Sequence, residues 1–351
     1  YSEQDNYYER TDMGGNALSH VTVRLTKKNA DRVAADCVAK LQALYPGRRI
    51  TYLSSYRTKP DAGDADILVE ADDRFDPHEA AAALGAVEVV RNGPVTSVGL
   101  VVRPEIPQLD GNVFQVDLIR SAPEEFDYSC GYFMWSDLGN LIGRIAHAGF
   151  TAHRHDGLYF YFREEDHLFR TILLTQDHEK ALAYLGYDPV RFNEGFDTLE
   201  EIFQYAASSE FFNRDIYLLE NRNAKSRIRD RKRLAYMGFL RWCEERNDLP
   251  AFAYPESKEA WLPRIAEHFP HFQAEYDQAV ADLAEQRAVK AKFNGEWVSQ
   301  LTGLQGKELG FLMKRFKESF ATPAEMRAFI LGHSLLDIEA RVRRLQAEAV
   351  A

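Results

Sequence analysis

The chain holds 351 residues, 45% of them hydrophobic and 28% charged, with a formal net charge of −11. Those proportions suit a soluble globular protein, and the length suits two or three subdomains rather than one core. They exclude a membrane-spanning helix, since no apolar run approaches the ~18 residues one needs, and argue against a long basic track along nucleic acid, where phosphate neutralisation supplies most of the affinity. Cys37, Cys130 and Cys243 lie far apart with no CxxC pair, which points away from a zinc ribbon or a disulfide framework and toward a reducing compartment. No signal-peptide pattern opens the sequence. The expected location is therefore the cytoplasm, a nucleoid or a viral replication site, and not the secreted space.

Residues 1–13 (YSEQDNYYERTDM) are polar and aperiodic and are expected to be flexible. The Gly14–Gly15 pair that follows has no mechanism legible in the sequence. From Thr26 the pattern turns helical: Val33, Cys37, Val38, Leu41 and Leu44 recur at three and four, and Pro46–Gly47 closes the segment. Strand-like runs then dominate, ITYLS, ADILVE, VEVV, TSVGLVV and VFQVDLI, with DPHEAAAALG a helix between the second and third. From Ser129 the chain reads mostly as helix, broken by a short strand or hairpin at HDGLYFYF. From about residue 214 it is charged and helical throughout. The expected organisation is a flexible 1–13, an α+β block at 14–129, a second domain at 130–213 and an all-α domain at 214–351.

Within ADILVE, Asp64 and Asp66 share one strand face while Ala65 and Ile67 point into the core. Two bare carboxylates repel, and each raises the other's pKa. A divalent cation between them reverses that balance, and carboxylate oxygens suit Mg²⁺. Asp117 is a lone acid in the apolar run VFQVDLI, where an unpaired buried carboxylate is costly. As a third ligand it would let two ions sit ~4 Å apart and clamp an in-line displacement. Upstream, Ser54–Ser55 follow ITYL, and Arg57, Lys59 and Gly63 precede Asp64. A turn at a strand end offers N–H groups and hydroxyls to an anion, and cations beside it suit a triphosphate. A solvated strand edge would explain one DxD pattern alone; it does not explain the third acid or this turn.

SSYRTKPDAGDADILV resembles the palm motif of the family X DNA polymerases, in the nucleotidyltransferase superfamily that includes DNA polymerase beta. That motif runs glycine–serine, aromatic, two arginines, a short loop, then glycine, aspartate, any residue, aspartate. Ser55, Tyr56, Arg57, Gly63, Asp64 and Asp66 match it. Ser54 stands where glycine is usual, the loop is one residue shorter, and Thr58 falls on the second arginine, with Lys59 as its substitute. VDLI resembles the strand of the third aspartate, with Gln115 where arginine is common. CGYFMWSDLGNLIGR resembles the thumb segment, with Tyr132, Phe133, Ser136, Asp137, Asn140 and Arg144 in register and Met134–Trp135 replacing Thr–Gly.

The resemblance spans about residues 48–205. It implies an α+β, polymerase beta-like palm with a mixed sheet and a helical thumb. It implies Mg²⁺ (two ions, Mn²⁺ substituting) at Asp64, Asp66 and Asp117, with Asp117 helping to deprotonate a primer 3′-OH. Ser54, Ser55, Arg57, Lys59 and Gly63 would meet the triphosphate, and Tyr132 and Phe133 would wall the sugar. Asp137 would stack under the base, Asn140 would contact its minor-groove edge and Arg144 would probe the template. Spacing alone puts Asp137, Asn140 and Arg144 on one helix face.

FNGEWVSQLTGLQGKELGFLMKRFKES resembles a segment near the end of bacterial CCA-adding enzymes and poly(A) polymerases, through Gly295, Gly303, Gly306, Leu309, Gly310 and Leu312. ENRNAKSRIRDRKRL is the densest basic run. Its Lys225, Arg227, Arg229 and Arg231 would track a phosphate backbone, or else form a solvated face paired with nearby acids. The expected function is that of a DNA-directed DNA polymerase using nucleoside triphosphates on a DNA primer–template, in gap-filling repair or in phage or viral replication. Untemplated addition to an RNA 3′ end is the second reading, and a nucleic-acid-binding protein on an inactive palm is the third. No membrane partner is expected.

Overall fold

The computed structural model describes residues 15–72, 75–102, 112–165 and 167–350. The stretch 1–13, expected to be flexible, lies outside the described residues. Contacts divide the chain into two units. One runs through Phe272 apart from Phe162–Arg170; the other joins Phe162–Arg170 to Gln273–Ala351. The sequence blocks 14–129 and 130–213 thus share a unit with residues 214–272, because Phe203, Phe212, Tyr217 and Phe239 form one aromatic cluster across that boundary.

The first unit begins with β1 (Leu25–Thr26), α1 (Lys27–Leu44), β2 (Ile50–Tyr52), β3 (Asp61–Ala62), β4 (Asp64–Glu70), α2 (Pro77–Leu84), β5 (Glu88–Asn92), β6 (Val95–Val101) and β7 (Val113–Ser121). Five of these strands form a mixed sheet in the order β2-β4-β7-β6-β5, in which β4 and β7 are parallel and the other neighbours antiparallel. Every strand expected from the sequence is present, and the two helices fall where their periodicity places them. Pro77 opens α2 behind Asp76, whose side chain accepts the His78 N–H, and Gly85 ends it in a left-handed conformation. Ala65, Ile67 and Val69 of β4 pack with Ala34, Cys37 and Leu41 of α1, so the helix covers that face of β4.

α3 (Phe126–Phe133) and α4 (Leu138–Ala148) follow. Phe126 of α3 packs with Leu53, Leu68 and Ile119 on the opposite face of the sheet. Next come β8 (Thr151–Arg154), β9 (Gly157–Glu164) and β10 (His167–Thr175), a three-stranded sheet where the sequence suggested a single hairpin in a helical region. Six α-helices follow in this unit: α5 (His178–Tyr184), α6 (Pro189–Glu194), α7 (Leu199–Ala206), α8 (Ala224–Arg231), α9 (Leu234–Glu244) and α10 (Leu262–His268).

In the second unit α11 (Phe272–Lys292), α12 (Gly295–Thr302), α13 (Gly306–Glu318), α14 (Pro323–Gly332) and α15 (Leu335–Val350) enclose a core of Phe293, Phe316, Ile330, Ile338 and Val342. Ion pairs Arg170–Asp282 and Arg287–Glu164 attach the 162–170 segment to α11. Among the described residues no helix is long and apolar enough to cross a membrane.

Candidate active site

Strand alternation sets the site. With Ala65, Ile67 and Val69 committed to the α1 side, Asp64, Asp66 and Leu68 take the other. Leu68 lies under Phe126, and the two acids sit one and two residue pairs further along, at the start of β4. The parallel register places Asp66 directly opposite Asp117 and Asp64 opposite Gln115. Three carboxylates thus share one face of two adjacent strands, as the sequence leads one to expect.

They are uncomfortable neighbours. Burial, then the charges of Asp64 and Asp117, push the Asp66 carboxyl up to about 8. Asp64 is raised by burial and held back by Lys59, by the Gly15 N–H and by Arg24. Asp117 is also raised by burial, while the Ser97 hydroxyl and the Gln115 amide pull it down. Gln115 Nε2 donates to both Asp117 oxygens, at 3.0 and 3.1 Å. Such a set of hard oxygen donors, short of compensating charge, suits a divalent cation. As they stand the side chains do not close on an ion: among the described residues no group of three or more His, Cys, Asp and Glu is arranged to hold one. An ion would have to draw them inward.

Asp64 and Asp66 open into a cleft of about 260 Å³, also lined by Ser54, Ser55, Lys59, Phe133, Ser136 and Asp137, while Asp117 lies behind them on β7 and does not line it. Burial lowers the Lys59 pKa, and Asp64 and Asp66 raise it again. That volume lies below the ~300–1,000 Å³ of whole small-molecule sites, so the cleft alone would enclose only part of a larger ligand. Trp135 and Ser136 both adopt left-handed backbone angles, φ 63° and 62°, uncommon for residues with side chains and typical of positions held by their surroundings. That turn brings the Trp135 N–H to the Ser54 carbonyl at 2.9 Å and sets Ser136 and Asp137 on the cleft wall.

Other expected residues are engaged elsewhere. Arg57 pairs with Asp197 at 2.8 Å, and its N–H donates to the Phe196 carbonyl, so its guanidinium is tied to the 194–197 turn. Tyr132 packs against Phe133 and His153, with ring centroids 5.2 and 4.9 Å apart; only Phe133 of the two reaches the cleft. Arg144 is 8% exposed and donates twice to the Ile216 carbonyl, at 3.0 and 2.7 Å, which corrects its assignment to a template: a buried guanidinium spent on a carbonyl is not available to a base. Asp137 accepts from Arg233 at 2.5 Å, and the Asn140 Oδ1 from Arg229 at 3.3 Å. The α4 face expected to meet a nucleotide is thus covered by the chain's own basic run. Within that run Arg227 turns inward to the Arg222 carbonyl, whereas Lys225, Arg229 and Arg231 are exposed.

Two contributors escaped the sequence reading. Gly15 donates its N–H to Asp64, and Gln115 accepts the Ala17 N–H at 3.0 Å while holding Asp117. The 15–22 segment, whose role the sequence left open, runs beside two of the three acids. Gly15 has φ +96°, and a Cβ there would lie 2.4 Å from the Gly63 carbonyl oxygen, so only glycine fits. The doubled glycine was the one available signal. No protein-family model and no curated protein matches this chain.

Proposed function

We propose that the chain is a divalent-metal-dependent nucleotidyltransferase on a polymerase beta-like palm, joining the α-phosphate of a nucleoside triphosphate to a polynucleotide 3′-OH with release of pyrophosphate. The observation that carries this reading is the β4–β7 register, which sets Asp66 against Asp117 on the face that also holds Asp64, with Asp64 and Asp66 lining a cleft that contains a lysine.

Asp64, Asp66 and Asp117 would hold Mg²⁺, with Mn²⁺ able to replace it. When bound, such ions would neutralise phosphoryl oxygens and lower the pKa of an attacking hydroxyl. The chain's own residues do the rest. Asp117, fixed by Ser97 and Gln115, is oriented to accept the hydroxyl proton, and burial makes it a stronger base than an exposed aspartate. Lys59 offers a fixed cation to the leaving pyrophosphate, with the hydroxyls of Ser54 and Ser55 beside it. Phosphoryl transfer asks for positioning and electrostatics rather than covalent help, and these groups supply both.

DNA-templated synthesis, in repair or viral replication, was the first expectation for the substrate. The commitment of Arg144 to Ile216 and of Asp137 to Arg233 favours the second reading, untemplated addition to an RNA 3′ end. The test is extension of labelled templated DNA, single-stranded DNA and RNA in Mg²⁺, with deoxy- and ribonucleoside triphosphates offered separately and Asp117→Ala as control. Templated deoxynucleotide incorporation lost in the variant makes the protein a DNA polymerase; incorporation on single strands alone makes it a terminal transferase. Nucleotide binding with no incorporation on any substrate refutes both.

A further inference from the structure

The basic run 222–233 is not uniformly solvated; it has two sides. On one, Asp230 is fully buried and gripped by Arg222 at 2.7 Å and Arg229 at 3.0 Å, which anchors α8 to the body of the unit. On the other, Lys225, Ile228, Arg229 and Lys232 fall at i, i+3, i+4 and i+7, a stripe along α8 that ends on Lys232 at its C-cap, with Arg229 on the border between the two sides. All four are exposed, Ile228 to 63%. Among the described residues neither Lys225 nor Lys232 has an ion-pair partner, although the chain carries a net charge of −11 and acids to spare. Isolated lysines are common; an aligned set flanking an exposed isoleucine, in an acidic protein, is a complementary surface for a polyanion with an apolar component.

We infer that this stripe is a docking track for single-stranded nucleic acid, Lys225 and Lys232 each taking a phosphate and Ile228 between them a sugar or unpaired base. The stripe is about 10 Å long at 1.5 Å per residue, enough for two or three phosphates and too short to follow a duplex groove. A duplex would also leave Ile228 facing only backbone. The track leads to the candidate active site. Arg229 belongs to the stripe and also reaches Asn140, and one turn on Arg233 holds Asp137 on the cleft wall. The sequence resemblance stops short of this segment, so nothing in it supplies the inference. The direction of the strand, 3′ end toward Asp137, rests on the transfer reaction proposed above; the track itself does not.

The test is fluorescence anisotropy of a labelled single-stranded oligodeoxynucleotide, titrated with the full chain at several KCl concentrations without metal or nucleoside triphosphate. Each cation that displaces a counterion from a single strand contributes about −0.7 to the slope of log affinity against log salt. The Lys225→Ala/Lys232→Ala variant, which leaves Arg229 and the buried anchor intact, is expected to bind more weakly and with a slope shallower by about 1.4, at unchanged melting temperature. Ile228→Ala is expected to weaken the oligonucleotide but not a heparin fragment of equal charge. No binding by the native chain, an unchanged slope in the double variant, or equal effects of Ile228→Ala on both ligands would overturn the inference. A chain that docks the strand by these criteria yet never extends it refutes the transferase reading and leaves the track standing.

Discussion

Asp66 and Asp117 face each other across the parallel pairing of β4 and β7, with Asp64 on the same face. Burial and its two neighbours push the Asp66 carboxyl up to about 8, so between about pH 4 and that value the folded chain holds a proton that the unfolded chain has released. Stability must then fall as pH rises through this window, because the unfolded state binds fewer protons. In the presence of a chelator, the native chain is expected to lose stability between about pH 4 and 8 more steeply than Asp66→Asn, by a difference on the order of a few kcal/mol. Denaturant unfolding at stepped pH measures it. Parallel profiles for the two proteins would show that Asp66 ionises freely and that the three acids do not oppose one another.

The same crowding predicts a metal response. Mg²⁺ or Mn²⁺ added at pH 8 should raise the melting temperature of the native chain by a few degrees, since a ligand at ten times its Kd stabilises by about 1.4 kcal/mol. Asp66→Asn and Asp117→Asn should lose most of that rise, together with any nucleotide incorporation. Chelation should reverse it. An equal rise in all three proteins would place the ion elsewhere.

Both predictions concern the part of the site most legible in the sequence. Alternation along ADILVE fixes which side chains share a face, and a lone acid in VFQVDLI demands a partner, so Asp64, Asp66 and Asp117 are found with no knowledge of the fold. Local patterns also place α1, α2 and the five strands of the mixed sheet, though not their order. The partners of Arg57, Arg144 and Asp137 lie 140, 72 and 96 residues away, and no local period encodes such distances. HLFRTILLT does not read as a strand because its exposed apolar residues, Leu168 at 40% and Leu173 at 37%, blur the alternation that marks one. Gly15 was visible as a residue and unreadable as a contact, because its need for glycine comes from the Gly63 carbonyl and not from its neighbours in sequence.

Gly15 and Gln115 should therefore behave as parts of the site although neither can perform chemistry. Gly15→Ala combines an unfavourable φ with a backbone clash and is expected to cost roughly 1–3 kcal/mol. Gln115→Leu preserves the packing but leaves the Ala17 N–H without its acceptor and Asp117 without an amide donor, at about 1–3 kcal/mol. Under conditions where both variants remain folded, incorporation should fall in each. Full activity in a folded Gln115→Leu protein would mean that Asp117 needs no support.

For Arg144 the expectation is a structural loss without a change in specificity. Replacing it with methionine keeps the aliphatic stem and strips the Ile216 carbonyl of two donors. Stability should drop by about 1–3 kcal/mol, while discrimination between paired and mispaired nucleotides, if any is present, stays as it was. Lost discrimination in a folded Arg144→Met protein would restore the template role that the geometry removes.

Two ion pairs made by neighbouring residues of the basic run should differ widely in worth. Arg222 and Asp230 have side chains 5% and 0% exposed, so Asp230→Ala strands a buried guanidinium and is expected to cost about 3–5 kcal/mol. Arg233 and Asp137 are 38% and 23% exposed; water and salt weaken their attraction, and Arg233→Ala should cost about 0–1 kcal/mol. Urea unfolding of the two variants compares them directly. A cheap Asp137–Arg233 pair is one that a ligand entering the cleft can exchange for its own contacts, whereas the Arg222–Asp230 pair keeps α8 in place while it does so. If Arg233→Ala proved as costly as Asp230→Ala, the cover over α4 would be a fixed wall, and neither Asp137 nor Asn140 could meet a substrate.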